Sequence, residues 1–478
     1  MEKILDYALR IDNILWGPWT LIFIAGVAVY LTVKSGFFQL RQFRLIWQNT
    51  FGKVFEKSDR TGRGKMTPFQ ATTTALASTV GMGNIAGVAT ALSVGGPGAI
   101  FWMWILALLG MMTKTAEITL AVHYREVDKK GNLHGGPMFY IKKALGWSFL
   151  AKLFSIGVLI NALLTATLIQ AHTVGRAFLS SYNLSPYIIT GIMAVITGFV
   201  IIGGISSIGR FCEKLVPLMS LVYIFAGLAI FFINFSEIPT VFALIFKHAF
   251  SAAPVAGGFA GVTIATAIRT GMSRGMLSNE AGLGTAPMAH ATASTEHPFK
   301  QGIWGTFEVF VDTLIICTIT SFAILSTGVL SSGESGIELV MTAFSVVFSQ
   351  NLANALLSIS ILTFCLTTQI GFFIYYENAV THVFGKKAIK YLKWFYLVPG
   401  VVFAGVTHVN ELWVFANISV AVCSLPNLIA LLALSGAFFK LMKDYLEGRK
   451  QFSTAIVDSQ KNYVQWPKNE EKKRWRSS

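Results

Sequence analysis

Between Lys65 and Lys114 the chain runs through residues 66–113 without one charged side chain. At about 1.5 Å per residue such a stretch can cross a hydrocarbon layer of about 30 Å twice. It carries Gly81-Met82-Gly83-Asn84 in its middle. Glycine loosens a helix where lipid offers the backbone no partner, so glycines beside a buried asparagine mark a helix that opens rather than a plain anchor.

Uncharged runs recur at 13–33, 153–175, 177–209, 215–236, 248–268, 313–333, 339–376, 394–410 and 412–439. With the long runs split and the segment around 254–283 added, about eleven spans are expected. The fold class is therefore an all-α polytopic membrane protein. Charged residues make up 13% of the chain, against about 25% in soluble domains, which decides against a soluble fold. The N-terminal MEKILDYALRID is amphipathic and of mixed charge rather than a basic lead into an apolar core, so the first span is expected to stay in the mature protein.

The net charge of +15 is distributed loop by loop. Lys and Arg collect between Lys34 and Lys65, between Arg125 and Lys143, at Arg210 and Lys214, at Lys300, between Lys386 and Lys393, and from Lys440 to Arg476. The intervening loops hold almost none. By the positive-inside rule the basic loops and the C-terminus are cytoplasmic and the N-terminus is outside, in a multi-pass protein of the cell membrane. The basic surface then meets lipid, and no nucleic acid is expected. Cys212, Cys317, Cys365 and Cys423 show no metal-like spacing and read as packing residues. No HExxH, GxSxG or Walker A pattern occurs, so neither hydrolysis nor ATP use is indicated and no enzyme is expected.

Setting the first span aside, the other ten divide into five and five. Core helix 1, about 68–92, holds Gly81, Gly83 and Gly87; core helix 6, about 254–283, holds Gly271, Gly275, Gly282 and Gly284. Each also carries Asn-x-Ala-Gly, at 84–87 and 279–282. An odd number of spans per repeat inverts the halves, and interrupted helices at matching places point to a central site. Close helix packing through small residues is the alternative, and it leaves Asn279 and Glu280 without a role. The remaining core helices are expected at about 98–123, 149–178, 186–205, 214–233, 303–328, 351–382, 389–406 and 411–438, with an interfacial stretch at 238–249. Three regions result: an extra helix with a basic loop (1–65), the transport core (66–440), and a basic tail (441–478) expected to be partly helical or disordered.

The stretches VGMGNIAGVATAL at 80–92, GGPGAIFWMWILALLG at 95–110, GGPMFYI at 135–141, SNEAGLGTAPMAHA at 278–291 and FEVFVDTLIICTIT at 307–320 resemble the alanine or glycine:cation symporter family. The resemblance covers nearly the whole chain. It implies a secondary transporter of the leucine-transporter fold with one additional N-terminal helix. It further implies import of small neutral amino acids with sodium, no organic cofactor, and no obligate protein partner.

Sodium is a hard cation that takes oxygen ligands, including carbonyls freed by a broken helix. Core helix 1 offers carbonyls at Ala77, Thr79 and Val80 and the amide oxygen of Asn84. By resemblance to the wider fold, Asn84 and Thr79 belong to one sodium position, near the substrate carboxylate. Ala77 and Val80, with Thr367 and Thr368, belong to the other. Bonding of the threonine hydroxyls to the preceding turn is the alternative. Glu308 and Asp312 share a face of core helix 7; Asp312 is placed to reach sodium and Glu308 a helix end. Glu280 has either a transport role or an ion pair with Arg269 or Arg274, and Lys114 and Glu117 read as a mutual pair. The amides around Gly81 to Gly83 suit a substrate carboxylate. Gln170 is either a direct substrate contact or a helix-to-helix hydrogen bond, and Met276 and Asn279 stand at the second interruption as further candidates.

The chain departs from the family where a tryptophan usually follows Thr-Thr-x-x-Gly: it has Phe372, with Gln369 nearby. It also has Gln170-Ala171-His172 where the family reads Gln-Ala-Asn. A smaller ring leaves volume and a polar side chain discriminates strongly, so glutamine and other larger neutral amino acids stand beside alanine and glycine. Two other classes stay open: a proton-coupled carrier relaying through Glu280, Glu308 or Asp312, and a channel or receptor without turnover.

Overall fold

The computed structural model describes residues 2–53, 66–127, 132–251, 263–405 and 409–448, with two short strands beyond them. Helices α1 (Glu2–Leu15) and α2 (Pro18–Lys34) form a pair bent by 40°. Helices α3 (Pro68–Thr79) and α4 (Gly83–Gly95) form a second pair, bent by 51°. Next come α5 (Gly98–His123), α6 (Ser148–Tyr182), α7 (Pro186–Ile202), α8 (Gly204–Ile233), α9 (Ile238–Phe250) and α10 (Ile264–Asn279). Further along come α11 (Pro298–Ser326), α12 (Gly336–Val347), α13 (Gln350–Phe384), α14 (Ile389–Phe395), α15 (Val398–Val402), α16 (Val409–Ala433) and α17 (Ser435–Leu446). Short helices at Phe38–Arg41, Phe43–Asn49, Pro137–Leu145 and Pro287–His290 lie between the labelled ones.

Six of these helices are long and apolar enough to cross a membrane, and the two bent pairs raise the number to eight. The protein is thus an all-α, multi-pass membrane protein. The other expected spans fall on α7, on α10 and on α14 with α15, which are shorter. The expected first turns of core helix 6 and the last residues of core helix 9 lie partly outside the described residues, as do most of the 441–478 tail and the end of the first basic loop.

Local chemistry sets the helix ends. Thr67 starts α3 through a reciprocal cap, its Oγ1 accepting from Gln70 N and Gln70 Oε1 accepting from Thr67 N, both at 3.1 Å, with Pro68 in the first turn. Hydropathy could not foresee α12: beyond Glu338 in its first turn it lies in the uncharged run 339–376, and only Phe348 and Ser349 separate it from α13. The expected helix at 411–438 is divided at Leu434, where α17 begins. The described part of the tail is helical to Leu446 and then includes two strands, Ile456–Asp458 and Tyr463–Gln465, which join Glu126–Val127 and Leu133–His134 in a small antiparallel sheet that was not expected.

Helix α5 is the axis of the bundle. Each of its residues from Gly110 to Val122 is buried, and it packs against both α10 and α11. Small residues permit that approach: a Cβ on Gly275 would meet Met103 Cγ at 3.2 Å, and one on Gly305 would meet Ile118 Cδ1 at 2.6 Å. Gly271 and Gly275 thus serve packing, and α10 runs through them unbroken. Its interruption comes after Asn279, where Glu280, Gly282 and Gly284 all take positive φ.

Candidate functional site

Helix α3 stops because its next backbone donors turn to side chains. Gly81 N donates to Asn84 Oδ1 at 2.9 Å, and Met82 N to Gln170 Oε1 at 3.4 Å. Asn84 N donates to Gly81 O at 3.2 Å instead of continuing the helical ladder. The carbonyls of Ala77, Ser78 and Val80 are thereby left without their usual helical partners. Val80 O faces Thr368 Oγ1 at 3.5 Å. Gly81 is required here sterically, since a Cβ on it would lie 2.6 Å from Thr368 Oγ1.

This break borders a cavity lined by both polar and apolar side chains. Thr79, Gly81, Gly83, Gln170, Thr368 and Phe372, all singled out in the sequence, contribute to its lining. Asn161, Thr165, Leu277, Glu280 and Trp413 line it as well. Asn161 was legible as an amide in an apolar helix, one turn before Thr165, whose hydroxyl donates to Asn161 Oδ1 at 2.6 Å. Trp413 carried no local signal, since an aromatic in an apolar run reads as lipid-facing or core.

Eight predicted residues are not in that lining: Ala77, Val80, Asn84 and Asp312 lie at or behind the break, and Thr367, Gln369, Met276 and Asn279 are held elsewhere. On α13, Thr368 and Phe372 lie four residues apart and share a face, whereas Thr367 and Gln369 are rotated about 100° to either side. Thr367 Oγ1 bonds back to Thr363 O and Phe364 O at 2.9 Å and lies 3.3 Å from Met219 Sδ on α8. Gln369 Oε1 accepts from Thr197 Oγ1 on α7 at 3.1 Å, and its carbonyl accepts from Tyr396 OH at 2.7 Å. The amide capacity expected near Phe372 is therefore directed away from the cavity. Met276 is fully buried beside Gly282, and Asn279 Nδ2 donates to Thr313 Oγ1 at 3.1 Å while its Oδ1 accepts from Ala281 N at 2.9 Å.

Behind the break, Asn84 meets Asp312. Asn84 Nδ2 donates to Asp312 Oδ1 at 2.6 Å and to Ser278 Oγ at 2.9 Å. Ser278 Oγ and Thr313 Oγ1 donate to Asp312 Oδ2 at 2.7 and 2.9 Å. Thr320 Oγ1 donates to the Asn84 carbonyl at 2.8 Å. Cys317 is more than packing, with its Sγ 3.4 Å from Asn84 Nδ2. Three helices carry a widened π turn around this region, at Gly83–Gly87, Ala162–Ile169 and Phe310–Cys317. Such turns insert one residue and are frequent at functional sites.

A second buried cluster corrects two expected pairings. Lys114 Nζ lies 3.3 Å from Glu308 Oε1 and donates to Asn279 O at 2.8 Å, so it caps the end of α10 and pairs with Glu308 rather than with Glu117. His290 Nε2 lies 3.1 Å from Glu308 Oε2, and Gln301 Nε2 donates to His290 Nδ1 at 2.9 Å, which assigns the ring proton to Nε2. Glu117 instead accepts from Asn427, which also donates to Gly282 O at 2.9 Å and accepts from Tyr140 OH. Glu280 is not paired with an arginine: Arg269 Nη2 donates to Asn13 Oδ1 at 2.9 Å, and Arg274 stacks on the Trp413 ring at 4.9 Å.

A multi-pass helical bundle with helix breaks beside a buried cavity is an arrangement that suits a secondary transporter. The pattern of the sodium:alanine symporter family matches residues 1–459. The chain is 36% identical over 449 residues to the sodium/alanine symporter AgcS of Methanococcus maripaludis, covering 92% of this chain and 97% of that one. It is 37% identical over 452 residues to an uncharacterized transporter of Haemophilus influenzae, covering 94% and 97%. It is 33% identical over 479 residues to the "Probable sodium/glutamine symporter GlnT" of Bacillus subtilis, covering 99% and 98%. The chain belongs to the sodium:alanine symporter family, a family of transporters and not of catalysts. It is a sodium-coupled symporter of neutral amino acids, with Na+ as the co-transported ion and no organic cofactor indicated.

Proposed function

We propose that the protein imports small neutral amino acids, alanine and glycine first, by exposing the cavity at the helix breaks alternately to the two faces of the cell membrane. The core consists of ten spans in two inverted halves behind one extra helix, eleven in all, with the N-terminus outside and the C-terminus cytoplasmic. Close packing of α5 on α11 and of α6 on α13, which occupy equivalent positions in the two halves, supports this arrangement.

The observation that carries the proposal is the open end of α3. Freed carbonyls of Ala77 and Val80 beside the Thr368 hydroxyl supply oxygen for one sodium ion, as a hard cation requires. Thr79, the Asn84 amide and the Asp312 carboxyl group supply it for another. The amides of Gly81 to Gly83 take the substrate carboxylate, displacing the two side-chain oxygens that hold them. One sodium ion entering through about 100 mV contributes about 2.3 kcal/mol, and a tenfold gradient adds about 1.4 kcal/mol, enough for roughly 500-fold accumulation of a neutral solute.

Phe372 favours a second reading, a carrier for glutamine or other larger neutral amino acids, in line with the relative named for glutamine. Uptake of labelled alanine and glutamine into proteoliposomes, with Phe372→Trp alongside, separates the two. Preferred alanine uptake unchanged by the tryptophan supports the first. Glutamine uptake selectively lost on substitution supports the second. Uptake indifferent to sodium contradicts both.

A further inference from the structure

Among the described residues, Glu280 is the acid that lines the cavity. It lies one residue beyond α10, in the left-handed conformation at φ 56°, and contributes to the cavity lining. It is 2% exposed, and Thr285 Oγ1 donates to its Oε2 at 2.7 Å. Among the described residues no cationic side chain lies within salt-bridge distance of it. The neighbouring cations are committed elsewhere: Lys114 to Glu308 and Asn279 O, Arg269 to Asn13, and Arg274 to Trp413. An ionised carboxylate held in such a place without a counter-ion is costly, and a cation arriving from outside offsets that cost.

We infer that Glu280 is the acceptor for the substrate's ammonium group, and that it makes the cavity selective for α-amino acids over 2-hydroxy acids of the same size. The inference rests on the proposal that this cavity holds the substrate. The two breaks give the cavity opposite polar ends. Backbone N–H groups at Gly81 and Met82 already hold side-chain oxygens and are suited to a carboxylate, while the break after α10 presents an acid. The amides suit the carboxylate of a zwitterion and Glu280 suits its ammonium group. Sodium is the less suitable occupant at Glu280, because it needs several oxygens around it and, among the described residues, only the Thr285 hydroxyl is hydrogen-bonded to the Glu280 carboxyl group. An ammonium group can be held by one charge-assisted acceptor with neutral neighbours.

Competition against labelled alanine binding, by unlabelled alanine and by lactate, tests this in purified wild-type protein, Glu280→Gln, Glu280→Asp and Gly81→Ala. In the wild type, lactate is expected to be about a hundredfold weaker than alanine. In Glu280→Gln the affinity for alanine falls about thirtyfold or more, as for loss of one partner of a buried charge pair, while that for lactate is unchanged. Glu280→Asp recovers part of the alanine affinity, and half-saturating sodium stays as in the wild type. Melting in detergent without substrate is unchanged or raised in Glu280→Gln, since no native ion pair is removed. Wild-type alanine affinity in Glu280→Gln overturns the inference, as does equal weakening of alanine and lactate or an increased sodium requirement with selectivity intact. Undiminished alanine binding by Gly81→Ala would instead show that the substrate lies elsewhere, and both proposals fall together.

Discussion

Asn84 uses both ends of its amide, accepting from Gly81 N and donating to Asp312 and Ser278, and so ties the opened backbone of one helix to an acid on another. Asp312 is fully buried and held by neutral donors alone in its hydrogen-bond shell. Asp312→Asn is therefore expected to raise half-saturating sodium at least about tenfold, with a smaller effect on alanine affinity at saturating sodium, in sodium-titrated uptake. The adjacent threonines of α13 provide a contrast of one residue. Thr368→Val raises half-saturating sodium about tenfold, whereas Thr367→Val, which removes only bonds to the preceding turn and a contact with Met219, changes it less than about twofold. Equal effects of the two would contradict the assignment. Gly81→Ala places a methyl group against Thr368 Oγ1 and should abolish measurable uptake while leaving the protein extractable and monodisperse.

At the level of helices, the chain announces some breaks and conceals others. Gly81-Met82-Gly83-Asn84 marked the first, because the amide of Asn84 beside the glycines supplies a partner for backbone that helix packing alone does not call for. The second was placed too broadly over residues 254–283: Gly271 and Gly275 have the same composition signature as Gly282 and Gly284, yet the first two accommodate α5 and only the latter two have positive φ. The π turns left no sign, since one inserted residue in a uniformly apolar helix does not disturb its hydropathy. On α13 the sequence named the right turn but could not rotate it, and so included Thr367 and Gln369 with Thr368 and Phe372. The Lys114 cluster was misassigned because spacing along one helix suggested Glu117, whereas the third dimension brought Glu308 from α11. Lys114→Met leaves Glu308 buried without its cation and should cost about 3–5 kcal/mol, while Lys114→Met with Glu308→Gln should cost markedly less. Thermal melting in detergent of the two single variants and the double variant reads that difference as a coupling energy.

For the whole molecule, apolar runs and the alternation of basic loops were enough to establish a multi-pass helical protein, and motif blocks spread along the chain were enough for its family. Substrate size is a finer matter, set by a few side chains around one cavity. The most direct measurement is labelled alanine accumulation in proteoliposomes under an inward sodium gradient, with any proton gradient collapsed by an ionophore. Accumulation well above the external concentration, abolished when the sodium gradient is dissipated and absent in Gly81→Ala, is the result expected of coupling at the helix breaks. Accumulation that persists without sodium and disappears with the proton gradient would contradict it.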